Sequence, residues 1–210
     1  MARRRRDPSR SDRCPRCALH RELCICAAIA PVSVRTRMAV VRHARELDKP
    51  SGTARIAQLA LPELALLDYR DEIGDEPPPW LEARRATARS PSQIAAALEA
   101  LPAPRRLLFP TGAPLAPGDA AGTLIVLDGT WRQARAMYQR IPGLSALPAV
   151  RLEGPPRAVE RLRTPARDDG RSTLEAIAEA VERLEGEAAA APLWAIHAAF
   201  VVAARRGKGR

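Results

Sequence analysis

Aromatic rings are scarce in this 210-residue chain. Two Phe, two Tyr and three Trp make up 3% of it, so a packed interior has to rest on Leu, Ile, Val and many Ala. Lysine is nearly absent, with only Lys49 and Lys208, and asparagine is absent altogether. Such skew points to a GC-rich genome more than to function, although arginine suits phosphate contacts. An export signal is missing: Arg3–Arg6 could open one, but Asp7, Pro8 and Ser9 follow where an apolar region is needed. The most apolar stretch, 188–204, is mostly Ala and is interrupted by Pro192 and His197, weak against the roughly 20 apolar residues of a membrane span. The expectation is a cytoplasmic protein with no membrane partner and no evident obligate protein partner. What remains, 46% hydrophobic and 28% charged residues, is a globular composition and excludes disordered and fibrous classes.

The net charge of +10 sits at the two ends. Residues 1–26 hold eight Arg against Asp7, Asp12 and Glu22, and the last six residues hold Arg205, Arg206, Lys208 and Arg210. The stretch between them is nearly neutral. Basic ends suit contact with a polyanion such as a nucleic acid, although such tails also serve solubility alone.

All four cysteines lie within one short segment, Cys14, Cys17, Cys24 and Cys26, in the pattern C-x2-C-x6-C-x-C. In a cytoplasmic chain disulfides are disfavoured. Four thiolates can close a tetrahedral Zn2+ site that ties down a segment with no core of its own. Arg13, Arg16 and Arg21 within the loop favour ionised thiolates. With the shell filled by cysteines the metal is structural, and His20 is a competing ligand. An iron–sulfur cluster and redox thiols are the alternatives.

After this knuckle, strand-like and helix-like stretches alternate. Strands are expected at Met38–Val41, Leu64–Leu67, Arg106–Phe109 closed by Pro110, Leu124–Leu127 and Ala149–Leu152. Helices are expected at Thr53–Leu61, stopped by Pro62, and at Ser92–Leu101, stopped by Pro102. Residues 77–91 and 110–121 read as surface loops. Short continuous apolar runs between helices indicate an α/β fold on a mostly parallel sheet. The domains are then 1–30, a basic arm and four-cysteine zinc knuckle; 31–204, the α/β domain; and 205–210, a basic tail.

Two junctions place a strand end or loop against a helix start. In Leu127-Asp128-Gly129-Thr130-Trp131 the apolar run ends on Asp128, and Trp131, Ala134, Met137 and Ile141 follow at helical spacing. Ligands of α/β sheets sit outside the carboxyl ends of strands, so Asp128 is a candidate ligand or catalytic group. Alternatively, Asp128 or Thr130 caps the helix and Trp131 packs in the core. In Ser172-Thr173-Leu174-Glu175, Ser172 and Glu175 have the spacing of a capping box, and Leu174, Ile177, Ala178, Val181 and Leu184 form an apolar stripe. That helix start offers N–H groups to an anion, or is a well-capped helix and nothing more.

Asp128-Gly129-Thr130-Trp131 matches the D-x-T-W signature of the DTW-domain family. With the cysteine knuckle, His43 and Glu46, Leu108-Phe109-Pro110, Leu124–Met137 and Ser172-Thr173-Leu174-Glu175-Ala176-Ile177 in this order, nearly the whole chain resembles that family, and within it the bacterial tRNA-uridine aminocarboxypropyltransferases. It departs from the family's usual pattern at Lys49-Pro50-Ser51-Gly52-Thr53 and at Glu160-Arg161-Leu162-Arg163.

The resemblance implies a SPOUT-related fold with a C-terminal trefoil knot that holds S-adenosyl-L-methionine as co-substrate. It also implies transfer of the 3-amino-3-carboxypropyl group to N3 of a tRNA uridine, with release of methylthioadenosine. Asp128 is then the expected base for the N3 proton, or the ligand of the donor's amino group. Trp131 would stack on a base or on adenine. Arg132, or the helix start with Ser172, Thr173 and Glu175, would hold the donor carboxylate, while Pro110, Thr111 and Gly112 would supply contacts to its adenosine. His43 is either a proton shuttle or a structural histidine. The competing functions are a SPOUT-like RNA methyltransferase and a non-catalytic zinc-knuckle RNA-binding protein.

Overall fold

The computed structural model describes residues 12–208 except 48, 72–86, 118–121 and 158–169. Five strands form one sheet in the order β2-β1-β4-β3-β5. They are β1 (Arg37–His43), β2 (Ala65–Tyr69), β3 (Arg105–Pro114), β4 (Thr123–Asp128) and β5 (Ala149–Arg151). Every neighbouring pair is parallel, as continuous apolar runs separated by helices dictate. The helices are α1 (Thr53–Ala60), α2 (Pro91–Glu99), α3 (Trp131–Arg140), α4 (Thr173–Glu185) and α5 (Glu187–Lys208). The mixed α/β class and the parallel sheet agree with the sequence reading. A knot depends on the path of 158–169, which lies outside the described residues. Residues 77–86 of the first expected loop and the Glu160–Arg163 departure lie outside them too.

Strand alternation sorts the interior into two cores. Met38, Val40, Leu124 and Val126 face α1, α4, α5 and the cysteine knuckle, whose Cys17, Leu19, Ile25 and Ile29 share that core. Ala39, Val41, Leu67, Tyr69, Leu107, Phe109 and Ile125 face the other way, among Ile94 and Leu98 of α2 and Met137 of α3. The knuckle therefore packs as part of the first core.

Helix starts follow local chemistry. Capping boxes pair Ser90 with Gln93, Thr130 with Gln133 and Ser172 with Glu175. Pro91 occupies the first turn of α2, where a missing N–H costs nothing. Helix α4 ends at Gly186, whose φ of +94° suits glycine. Among the described residues α5 is long and apolar enough, by length and composition, to cross a membrane. In this fold Leu193, Trp194, His197, Phe200 and Val201, one helical stripe, are buried in the protein. The helix runs on through Arg205 and Arg206.

One strand boundary is a correction. Pro110 does not close β3, and Thr111 and Gly112 do not begin a loop: the strand continues to Pro114. Its pairing with β5 shifts register between Leu108 and Ala113. Pro110 falls within that irregularity, where the ladder does not require its missing N–H. Gly112 is needed there, because a Cβ would lie 2.3 Å from the Ala149 carbonyl carbon.

Candidate active site and cysteine knuckle

The chain leaves β1 for β2 on one side, while β3 and β5 lie on the other side of β4. The sheet thus changes direction between β1 and β4, and in open α/β sheets ligands bind outside the carboxyl ends of strands at such a point. Asp128, the last residue of β4, stands there in register with Arg42 of β1. Arg42 is itself buried and donates from Nε to Asp68 Oδ1 at 2.7 Å.

Asp128 is buried. The Thr173 hydroxyl donates to its Oδ1, and its Oδ2 has no hydrogen-bond partner among the described residues. Burial pushes its carboxyl above the ordinary value of 3.8, against the lowering effect of the Thr173 bond. Two helix starts hold this arrangement. Thr173 is the first residue of α4, and the Leu174 N–H donates to the Thr53 hydroxyl at the first residue of α1, at 3.3 Å. Both helices therefore direct the positive end of their dipoles toward the carboxylate end of β4. The capping alternative falls to Thr130 alone: its hydroxyl accepts from Gln133 N, and Asp128 takes no part in the cap.

The start of α4 is largely occupied with its own cap. Ser172 N donates to Glu175 Oε2 at 2.8 Å and Glu175 N donates to Ser172 Oγ at 3.3 Å. With Leu174 N given to Thr53, few amides remain for the donor carboxylate that the sequence reading assigns to this turn. Within 4 Å of Glu175 lies a histidine to which the sequence reading gives no role: His197 Nε2 is 3.9 Å from Oε2, buried beside Ser172 Oγ at 3.5 Å.

His43, the last residue of β1, is held by both ring nitrogens. Nδ1 accepts from Arg45 N at 3.2 Å, so the ring proton is assigned to Nε2, which donates to Asp71 Oδ2 at 2.9 Å. Burial lowers its pKa below 6.5 despite the raising effect of Asp71. Both nitrogens are engaged, as the structural alternative for His43 requires. Asp71 also accepts from the Tyr69 hydroxyl at 2.8 Å and from Arg140 Nη1 at 2.9 Å, tying the ends of β1, β2 and α3 together. Asp71 and Thr53 were invisible in the sequence. The only signal was position, two past a strand end and first in a helix.

Of the remaining expected contacts, Pro110 and Thr111 are exposed in the β3 irregularity, while the Gly112 carbonyl is bonded by Arg151. Trp131 is not a core anchor: it is 43% exposed and stacks on Phe109. Arg132 is exposed on α3 next to it and makes no described contact with the α4 start.

The sulfurs of Cys14, Cys17, Cys24 and Cys26 lie within 4.8 Å of one another. Two of the separations are 3.6 Å for Cys14–Cys26 and 3.8 Å for Cys17–Cys24. Tetrahedral zinc with bonds of about 2.3 Å puts its sulfurs roughly 3.8 Å apart, so the donor set fits. Burial and neighbouring thiols push the Cys26 thiol up to about 12. Backbone N–H donors from Cys17 and Arg16 outweigh desolvation at Cys14 and bring it down to about 6. Four thiols this close resist joint ionisation unless a cation compensates them. The knuckle also meets the far end of the chain: a side chain at Gly207 would lie 3.3 Å from Leu23 and 3.9 Å from His20. Arg16 and Arg21 on the knuckle and Arg205 and Arg206 near the end of α5 are all exposed.

Together, the fold and site define a cysteine-knuckled parallel α/β protein with a buried carboxylate at the point where its sheet changes direction. The chain belongs to the DTW-domain family, whose model matches residues 11–204. It is also similar to the Drosophila melanogaster protein named tRNA-uridine aminocarboxypropyltransferase 2, with 28% identity over 186 residues, covering 85% of this chain and 68% of that protein. No solved structure matches.

Proposed function

We propose that this protein transfers the 3-amino-3-carboxypropyl group of S-adenosyl-L-methionine to N3 of a tRNA uridine. The observation that carries the reading is Asp128: a buried carboxylate at the sheet's switch point, with one oxygen held by Thr173 and the other unpartnered among the described residues. Uridine N3 is a weak nucleophile until its proton leaves. A carboxyl raised by burial accepts that proton near neutral pH better than an ordinary one. Its Oδ2 takes the proton, N3 forms a bond to the carbon next to the sulfonium, and the carbon–sulfur bond breaks with its electron pair going to sulfur. The products are the modified uridine and neutral methylthioadenosine. The sulfonium is already a good leaving group, so no covalent enzyme intermediate is needed and most of the catalysis is positioning.

In this reading Thr173 fixes the carboxylate, and Thr53 and Ser172 fix Thr173. The cysteine knuckle holds structural zinc, and Arg16, Arg21, Arg205 and Arg206 are proposed contacts to the RNA backbone. The parallel sheet with its change of direction is compatible with a SPOUT-related fold that closes a C-terminal knot. Pro110 and Thr111, exposed at the same sheet edge, are proposed contacts to the donor's adenosine. The protein is proposed to act in the cytoplasm.

Mass spectrometry of tRNA incubated with the protein and S-adenosyl-L-methionine tests the reaction. A uridine mass increase equal to the aminocarboxypropyl group, with methylthioadenosine in the supernatant, is expected. A methylated nucleoside with S-adenosylhomocysteine makes the protein a methyltransferase and overturns the proposal. Bound tRNA with neither product makes it a binding protein and overturns it equally.

A further inference from the structure

The carboxyl ends of β2, β1 and β4 bring three charged residues into line. Asp68, Arg42 and Asp128 are register partners across these strands, so their side chains leave the sheet on one face. It is the face of Met38 and Val40, and of Leu124 and Val126, which precede Arg42 and Asp128 at two-residue intervals. Neighbouring strands lie about 4.8 Å apart, so Arg42 stands next to Asp128 along the row. The two do not hydrogen-bond: Asp128 Oδ1 takes the Thr173 hydroxyl, and Oδ2 has no hydrogen-bond partner among the described residues.

Burying a guanidinium is costly unless its donors are engaged. The Arg42 side chain is 9% exposed, yet its hydrogen bonding to the described residues is one bond, from Nε to Asp68 Oδ1. A purely structural pair would use both carboxylate oxygens on the same edge of the guanidinium. Here Nη1 and Nη2, four N–H donors in a planar fork, make no hydrogen bond among the described residues. Glu46 and Lys49 also act on Asp128 by their charge. Lys49 Nζ is paired with Glu46 Oε1 at 2.6 Å, and with a side chain 35% exposed its other donors can reach water. Of the two cations, Arg42 is thus the buried one with donors unengaged, and its fork matches a carboxylate through two parallel bonds.

We infer that Arg42, aimed by Asp68, receives the carboxylate at the end of the donor's aminocarboxypropyl arm. This rests on the transfer proposed above and adds what selects the carbon that moves. The sulfonium of S-adenosyl-L-methionine carries a methyl, a ribose carbon and the arm. Only the arm bears a carboxylate, a few bonds from the carbon that reacts. Anchored on Arg42, one strand from Asp128, it draws the arm and not the methyl toward the uridine whose proton Asp128 takes. A phosphate of the RNA is the competing oxyanion, but a guanidinium this buried suits the end of a slender arm better than a polymer backbone.

Calorimetry with two donor analogues tests this apart from transfer. S-adenosylhomocysteine keeps the arm, and methylthioadenosine lacks it. Wild-type protein should bind the first more tightly than the second. Arg42→Gln should weaken S-adenosylhomocysteine binding about 10- to 150-fold, the range for losing hydrogen bonds to a charged group, and leave methylthioadenosine binding within about twofold. The second result also shows that the site is folded. Arg42→Lys keeps the charge without the fork and should fall between wild type and Arg42→Gln. Unchanged S-adenosylhomocysteine affinity in Arg42→Gln overturns the inference, and weakened tRNA binding in that case makes Arg42 a phosphate contact. Equal loss of both analogues makes Arg42 a support of the whole site and overturns it too. Wild-type protein that binds neither analogue is a different failure, which removes the donor from the proposed function and the inference with it.

Discussion

The two faces of the sheet solve different problems with the same strands. On one face α1, α4, α5 and the cysteine knuckle bury a polar cluster of Asp128, Thr53, Thr173, Glu175 and His197 among aliphatic side chains. On the other, α2 and α3 cover an ordinary apolar core, and α3 turns its Trp131 and arginines outward. Adjacent positions of β4 divide between them: Leu127 packs with the second core, and Asp128 bonds to α4 of the first. Buried polarity on one side suits proton chemistry, where low dielectric strengthens each interaction. Exposed charge and aromatic area on the other suit a large, wet, polyanionic partner.

Removing the metal should break the first face most severely. Purified protein is expected to carry about one zinc per chain by elemental analysis. Cys24 is exposed, so Cys24→Ser deletes a ligand without opening the core. It should lose the metal and lower stability by at least about 3 kcal/mol, a thermal shift of roughly 6–12 °C, since structural zinc contributes folding energy directly. Retention of zinc by that variant would refute the four-cysteine site.

Asp128→Asn separates chemistry from stability on the same face. Proposed transfer should fall about 10²–10⁴-fold, the usual contribution of a general base, in a single-turnover assay at saturating donor. Stability should move the other way. A carboxyl raised above 3.8 in the fold binds its proton at higher pH folded than unfolded. Its ionisation therefore weakens the fold as pH rises from 3.8 through the raised value. Asparagine escapes this cost, so the variant should melt higher at about pH 8 than the wild type, with the gap closing as pH falls. Near-normal transfer would remove Asp128 from the reaction, and a lower melting point in that mildly alkaline range would contradict its strained burial.

Gly112→Ala probes the sheet edge away from both faces. Its Cβ would meet the β5 backbone at 2.3–2.4 Å, so β5 must move, at a cost of about 1–3 kcal/mol by urea unfolding. A neutral result would show that the edge relaxes freely. The smallest effect is expected at a cap: Thr130→Ala should cost about 1 kcal/mol, read from the same unfolding curves. Ser172→Ala should cost the same at its own cap and, in addition, lower proposed transfer, because α4 carries the Thr173 that holds Asp128. Equal activity of the two cap variants would erase the functional difference between the faces.

Much of this was legible because it is local. The cysteine spacing implied a four-sulfur cluster, since two closely spaced pairs within one short segment match the ligand spacing of a tetrahedral metal site. Ser172 with Glu175 and Ser90 with Gln93 announced helix starts through contacts three residues apart. The apolar runs announced parallel strands, and Asp128 stood out by ending one. Pro110 misled, because a proline that ends an ordinary strand is tolerated in a register shift, and the shift depends on β5, far along the chain.

The amino-acid order by itself thus determined the strands, the caps, the four-cysteine cluster and the position of Asp128 at a strand end, each through interactions spanning a few residues. Only the tertiary structure decided what Asp128 meets. Thr173 lies 45 residues away, and the hydroxyl, the burial and the unpartnered second oxygen exist only once α1 and α4 pack over β4. The same holds for the stacking of Phe109 with Trp131 and Tyr138 and for the contact between the knuckle and the end of α5. Such contacts join distant segments whose pairing no local periodicity encodes, and packing alone brings them together.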